Sequence, residues 1–189
     1  MIKIKLNNKP YNFPTNLNEI RLGQWLQLRT ANGGQIGDIA ILTGLDASHI
    51  AGFKTDDDFK RCLALLQVLR NNFESDLKKA KIPDTIQLGD KTITIPKKLE
   101  LEPIGAYVGV YNVIASEYNT FEANGNNFSD DKMIADILAY YLWKPYNNES
   151  AVYSDEAVDD PEYRKLILNI GYLDAATIAM FFFRKFPNL

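Results

Sequence analysis

The sequence predicts a mostly α-helical chain with two small β-hairpins, an α+β fold in two successive hairpin-plus-helices halves. Three observations lead there. Strictly alternating apolar residues flank turn chemistry twice, near residues 2–13 and 86–96, as hairpins require. Between and after them, apolar residues recur at three-to-four spacing, the helical period. The two hairpins also align without a gap at an offset of 82 residues, the kind of self-similarity that marks an internal duplication.

The first hairpin pairs Ile2, Ile4 and Leu6 with Tyr11 and Phe13 across Asn7-Asn8, residues that tolerate tight turns. Pro14 ends it. A short helix over 22–30 stops at Asn32-Gly33-Gly34, and a second over 36–42 stops at Gly44, since glycine accepts the left-handed C-terminal position. A third turn covers 47–51. Thr55 then caps a long helix from about 56 to 79. Asp56, Asp57 and Asp58 lie at its positive end, Lys78, Lys79 and Lys81 at its negative end. Its apolar stripe is Phe59, Leu63, Leu66, Leu69 and Phe73, with Cys62 beside it as a small core residue.

The second hairpin spans 86–96. Ile4, Leu6, Lys9 and Pro14 recur as Ile86, Leu88, Lys91 and Pro96. Leu17, Gly23 and Trp25 fall on Leu99, Gly105 and Tyr107. Helices follow over 104–118, 131–143, 162–168 and 174–186. Polar insertions at 120–129 and 145–160 read as loops of a length that is often functional. The boundary between the halves falls at 82/83. The last helix carries Leu173, Ile178, Met180, Phe181, Phe182, Phe183 and Phe186, and so is apolar on nearly every side. Either it is the central helix of the second half, or another subunit buries part of it.

Composition excludes several functions. One cysteine forbids an internal disulfide, and a single histidine forbids a Cys/His zinc site. No run of 18 apolar residues occurs, so no membrane span is expected. The net charge of −3 gives no reason to expect specific nucleic-acid binding. His49, beside Ser48 and Asp46, reads as a surface or capping residue, because triads assemble in space and not along the chain. The Asn32–Gly37 stretch lacks both the preceding strand and the Lys-Ser/Thr of a phosphate loop, and Asp38 follows it. The acidic clusters lack calcium-loop spacing. No cofactor and no enzymatic activity are expected.

Charge is unevenly spread. Residues 1–98 hold 15 Lys/Arg and 10 Asp/Glu, whereas 99–189 hold 6 and 14. A basic and an acidic half of similar shape suit head-to-tail packing between copies, which closes into rings or runs on as filaments. The expected contact residues are Lys3, Lys5 and Lys9 on the basic side. Glu149, Asp155, Glu156, Asp159 and Asp160 lie opposite, with Phe181, Phe182 and Phe183 as an apolar anchor.

The stretch Lys9-Pro10-Tyr11-Asn12-Phe13-Pro14, the run Leu22-Gly23-Gln24-Trp25-Leu26 and Ile41-Leu42-Thr43-Gly44-Leu45 together resemble small structural and assembly proteins of tailed bacteriophages. Neck, tail-ring and tail-assembly-chaperone-like proteins share such an opening. The resemblance covers about residues 9–75, and its motifs encode packing and capping. The second half carries it only through the internal echo, with Ala139-Tyr140-Tyr141-Leu142-Trp143 where the Thr-Gly pair would stand. The resemblance implies a virion component of the neck or tail, assembled in the host cytoplasm. It would be a homo-oligomeric ring contacting other phage structural proteins. A tail-assembly chaperone, absent from the finished particle, is the alternative.

Overall fold

The computed structural model describes residues 1–6, 9–51, 57–96, 104–124, 130–147 and 153–185, the side chains of 118–124, 130–132 and 182–185 excepted. The fold is mostly helical with two small antiparallel two-stranded sheets. The chain divides into two compact units, Met1–Ala80 with Gly171–Leu173, and Lys81–Ile170 with Asp174–Leu189.

In the first unit, β1 (Ile2–Leu6) pairs with β2 (Lys9–Phe13) in the register Ile2↔Phe13, Ile4↔Tyr11, Leu6↔Lys9. Directly paired residues share a face. Ile4, Leu6 and Phe13 thus point one way and are buried. That face packs on α2 (Gly34–Thr43) and α4 (Asp57–Lys79). α2 ends at Gly44, whose φ of +73° is the left-handed cap that glycine permits. α1 (Leu22–Thr30) lies beside α2, and Gln24 fixes the pair by donating to the Ile41 carbonyl at 3.1 Å. α3 (Ala47–Ala51) follows. On α4 the deepest residues are Cys62, Leu66 and Leu69, so the cysteine is in the core itself. The expected Thr55 cap and the Asn7-Asn8 turn lie outside the described residues.

The unit is completed by a return of the chain. The Tyr172 N–H donates to the Ile20 carbonyl at 2.7 Å, and Arg21 and Gly171 form an antiparallel bridge. The Tyr172 ring stacks on Trp25 at 4.3 Å, and Trp25 lies parallel to Phe73 at 4.8 Å. Offset stacking of this kind is worth about 0.5–1.5 kcal/mol per pair beyond burial.

In the second unit, β3 (Thr85–Leu88) pairs with β4 (Lys91–Thr94) around Gly89, whose φ is +64°. Its pairs Ile86↔Ile93 and Leu88↔Lys91 repeat those of the first hairpin at the same offset of 82. The likeness stops there. Leu22 is wholly buried at the start of α1, whereas its counterpart Ile104 is among the most exposed apolar residues. The helix it begins, α5 (Ile104–Asn124), has more than twice the length of α1.

The hub of this unit is α6 (Asp130–Asn147), which packs against α5, β4, α7 (Asp155–Val158) and α8 (Pro161–Leu168). α6 runs past Pro145, where the sequence predicts its end. Proline removes one amide, but Lys91 ties down the last turn by donating to the Tyr146 carbonyl at 3.1 Å and lying 4.0 Å over its ring. α9 (Tyr172–Lys185) buries Ala175, Ala176, Ile178 and Ala179. Five consecutive residues, 175–179, are buried, so this part of α9 is enclosed on every side as the core reading of the last helix expects, while α6 is the hub of the unit.

Candidate functional site

The sequence nominates charged surfaces, and the fold sorts them. Lys3 and Lys5 are exposed and alternate with Ile4, so they share the outer face of the first hairpin. Lys9 pairs with Leu6 and belongs to the opposite face. The three lysines therefore do not form one patch. The Lys5 amide donates to Asp58 Oδ2 at 2.8 Å, which occupies the edge of β1, and Pro10 removes a donor from β2.

The acidic candidates divide too. Asp160 caps α8, its Oδ1 accepting from the Tyr163 amide at 2.9 Å, with Pro161 at the first helical position. Asp159 pairs with Arg164 at 2.5 Å, and Arg164 also reaches Asp136 at 2.6 Å. Burial alone would lower the Arg164 pKa. The bond to Asp159 and the charge of Asp136 outweigh it and hold the guanidinium above its ordinary value. Asp155 and Glu156 are exposed in the first turn of α7, where Ser154 Oγ supplies the cap by accepting from Ala157 N–H at 3.1 Å. Glu149 lies outside the described residues. Among the described residues, Lys3, Lys5, Asp155 and Glu156 take part in no ion pair.

Of the aromatic anchor, Phe181 is half-buried. The side chains of Phe182 and Phe183 lie outside the described residues. A second aromatic group that sequence reasoning did not nominate sits between α5 and α6. Tyr153 lies edge-on to Trp143 at 5.4 Å and tilted against Tyr140 at 6.4 Å. Gly105 and Gly109 admit these rings: a Cβ on Gly109 would come within 2.2 Å of Tyr140, and one on Gly105 within 2.8 Å of Tyr153. Burial pushes both phenol pKa values up, and the nearby Asp155 and Asp159 add to the effect. Such hydroxyls stay protonated at neutral pH, which suits them to packing and not to base chemistry. The signal in the sequence is the Gly105/Gly109 spacing, of which the internal echo uses only Gly105, as the counterpart of Gly23.

His49 is exposed, 3.7 Å from Asp46. Among the described residues no group of three His, Cys, Asp or Glu is placed to hold a metal ion, and no helix is long and apolar enough to cross a membrane. No protein-family model, curated protein or solved structure matches the chain.

Proposed function

We propose that this chain is a non-enzymatic virion component of a tailed bacteriophage, a ring or collar subunit of the head–tail connection or tail that works by packing against copies of itself and against other phage proteins. The observation that carries the reading is the pair of oppositely charged, exposed sites that take part in no ion pair among the described residues: Lys3 and Lys5 in the first unit, Asp155 and Glu156 in the second. The charge balance of the units agrees in sign. The first holds 11 Lys/Arg and 8 Asp/Glu, the second 10 and 16. The sequence resemblance over residues 9–75 supplies the phage context.

Opposite charges at the two ends of a head-to-tail contact orient neighbours and suppress wrong pairings more than they add affinity. They act within a Debye length, about 8 Å at physiological salt. Asp159 and Asp160 are engaged by Arg164 and by the α8 cap, so they support the acidic site without forming its contact.

Charge exchange tests this. Reversing Lys3 and Lys5 to glutamate should abolish the larger assemblies in low salt without unfolding the chain. Adding Asp155→Lys and Glu156→Lys to the same chain should restore them. Failure of the fourfold variant to recover, with both parents folded, would remove these residues from the contact. A tail-assembly chaperone would share the charged sites but be missing from purified particles.

A further inference from the structure

α5 is apolar on two opposite faces. Ala106, Gly109 and Val110 fall on one side and are buried. Ile104, Tyr107, Val108 and Tyr111 fall on the other, at positions i, i+3, i+4 and i+7, and are 83%, 40%, 46% and 45% exposed. At 100° per residue these four lie within an arc of roughly 100°, the width of a helix's core-facing stripe. A helix with apolar character all round is ordinarily buried all round. Here half of it faces solvent.

We propose that this face is an interface with a second copy of the same chain, two α5 helices packing antiparallel about a two-fold axis near Tyr107 and Val108. The pattern of the face selects that occupant and its direction. An isologous contact must be self-complementary. Reversing the stripe in an antiparallel pair sets Ile104 against Tyr111 and Tyr107 against Val108, an aliphatic against an aromatic every time, whereas a parallel pair sets each residue against its own copy.

The area sets the strength. The four residues expose roughly 450 Å² per copy, taking about 170–260 Å² for each fully exposed side chain. A pair then buries about 900 Å², with Asn112 and Ala115 at the rim, close to the ~1,000 Å² at which specific interfaces begin. The dimer is therefore weak and concentration-dependent. Its contact is apolar, so it persists in salt that dissolves a charge-oriented head-to-tail assembly. It does not depend on the phage reading.

Sedimentation of the full chain between about 5 and 500 µM in 0.5 M sodium chloride reads this. A mass moving from 21.4 kDa to twice that value is expected. Val108→Glu and Tyr111→Glu should each hold the chain monomeric with unchanged circular dichroism, while Val68→Glu, an exposed apolar position on α4, should not. Orientation is read by mixing Ile104→Cys with Tyr111→Cys chains: oxidation should join the two species to each other far more than either to itself. A monomer throughout the range, a dimer indifferent to both α5 substitutions, or preferential self-joining of each cysteine species would overturn the proposal.

Discussion

Gly109→Ala sets two opposed effects against each other, and the structure decides the sign. In a helix interior, alanine is favoured over glycine by about 1 kcal/mol. The added methyl, however, would sit 2.2 Å from Tyr140 Cδ1 and 2.7 Å from its Cγ, where ordinary contact begins at 3.4 Å. An overlap of more than an ångström at the base of a ring is not relieved by turning the ring tip. α5 must move away from α6, or Tyr140 must leave its place beside Tyr153. Overpacking costs about 1–3 kcal/mol, and an overlap this deep belongs at the upper end, about 2–3 kcal/mol. The net expectation is a loss of about 1–2 kcal/mol, or a few degrees in the melting temperature of a chain this size. Urea unfolding followed by circular dichroism measures this loss. The same substitution in a Tyr140→Ala chain removes the obstacle and should stabilise by about 1 kcal/mol, so the cycle gives a coupling of 2 kcal/mol or more. A neutral or stabilising Gly109→Ala in the unaltered chain would refute the close approach of α5 and α6, and with it the orientation that turns Ile104 and Tyr111 to solvent.

Asp160→Ala should lower stability by about 1 kcal/mol, as expected for losing an N-cap, while Asp155→Ala should change it little; thermal melts of the two variants side by side decide this. Tyr153→Phe should be neutral or stabilising by up to about 1 kcal/mol, because the buried hydroxyl has no hydrogen-bond partner among the described residues; a clear loss would mean that the hydroxyl is bonded. Burial raises the Asp174 pKa above 3.8, so the folded state holds its proton more tightly than the unfolded one. Stability from this group is full below pH 3.8 and falls as pH rises through the raised value. Asp174→Asn should therefore stabilise at pH 7 and give no advantage in acid, which denaturation at two pH values can read.

The fold was legible wherever local chemistry sufficed. Gly44 announces the end of α2, and the alternation of Ile86, Leu88, Ile93 and Ile95 announces the second hairpin. Errors arose where tertiary contacts override local signals. Pro145 marks a helix end by itself, but Lys91, more than fifty residues away, holds the last turn of α6 in place. The 120–129 segment reads as a loop from its polarity, yet α5 continues to Asn124. The charged residues could be chosen by type but not sorted. Only strand register separates Lys9 from Lys3 and Lys5, and only the packing of α8 shows Asp160 to be a cap. The exposed stripe of α5 carries a helical period that fits a buried face equally well, so periodicity alone cannot show that it faces solvent.

Whether this polypeptide works by occupying a place in an assembly is decided by its copy number in the finished particle. Quantitative mass spectrometry of purified phage particles, calibrated against isotope-labelled peptides from this chain, gives that number. A small, whole-number stoichiometry that is constant between preparations is the expected result. Particles that lack the chain, while infected cells contain it in quantity, would contradict a structural role and leave a part played only during morphogenesis.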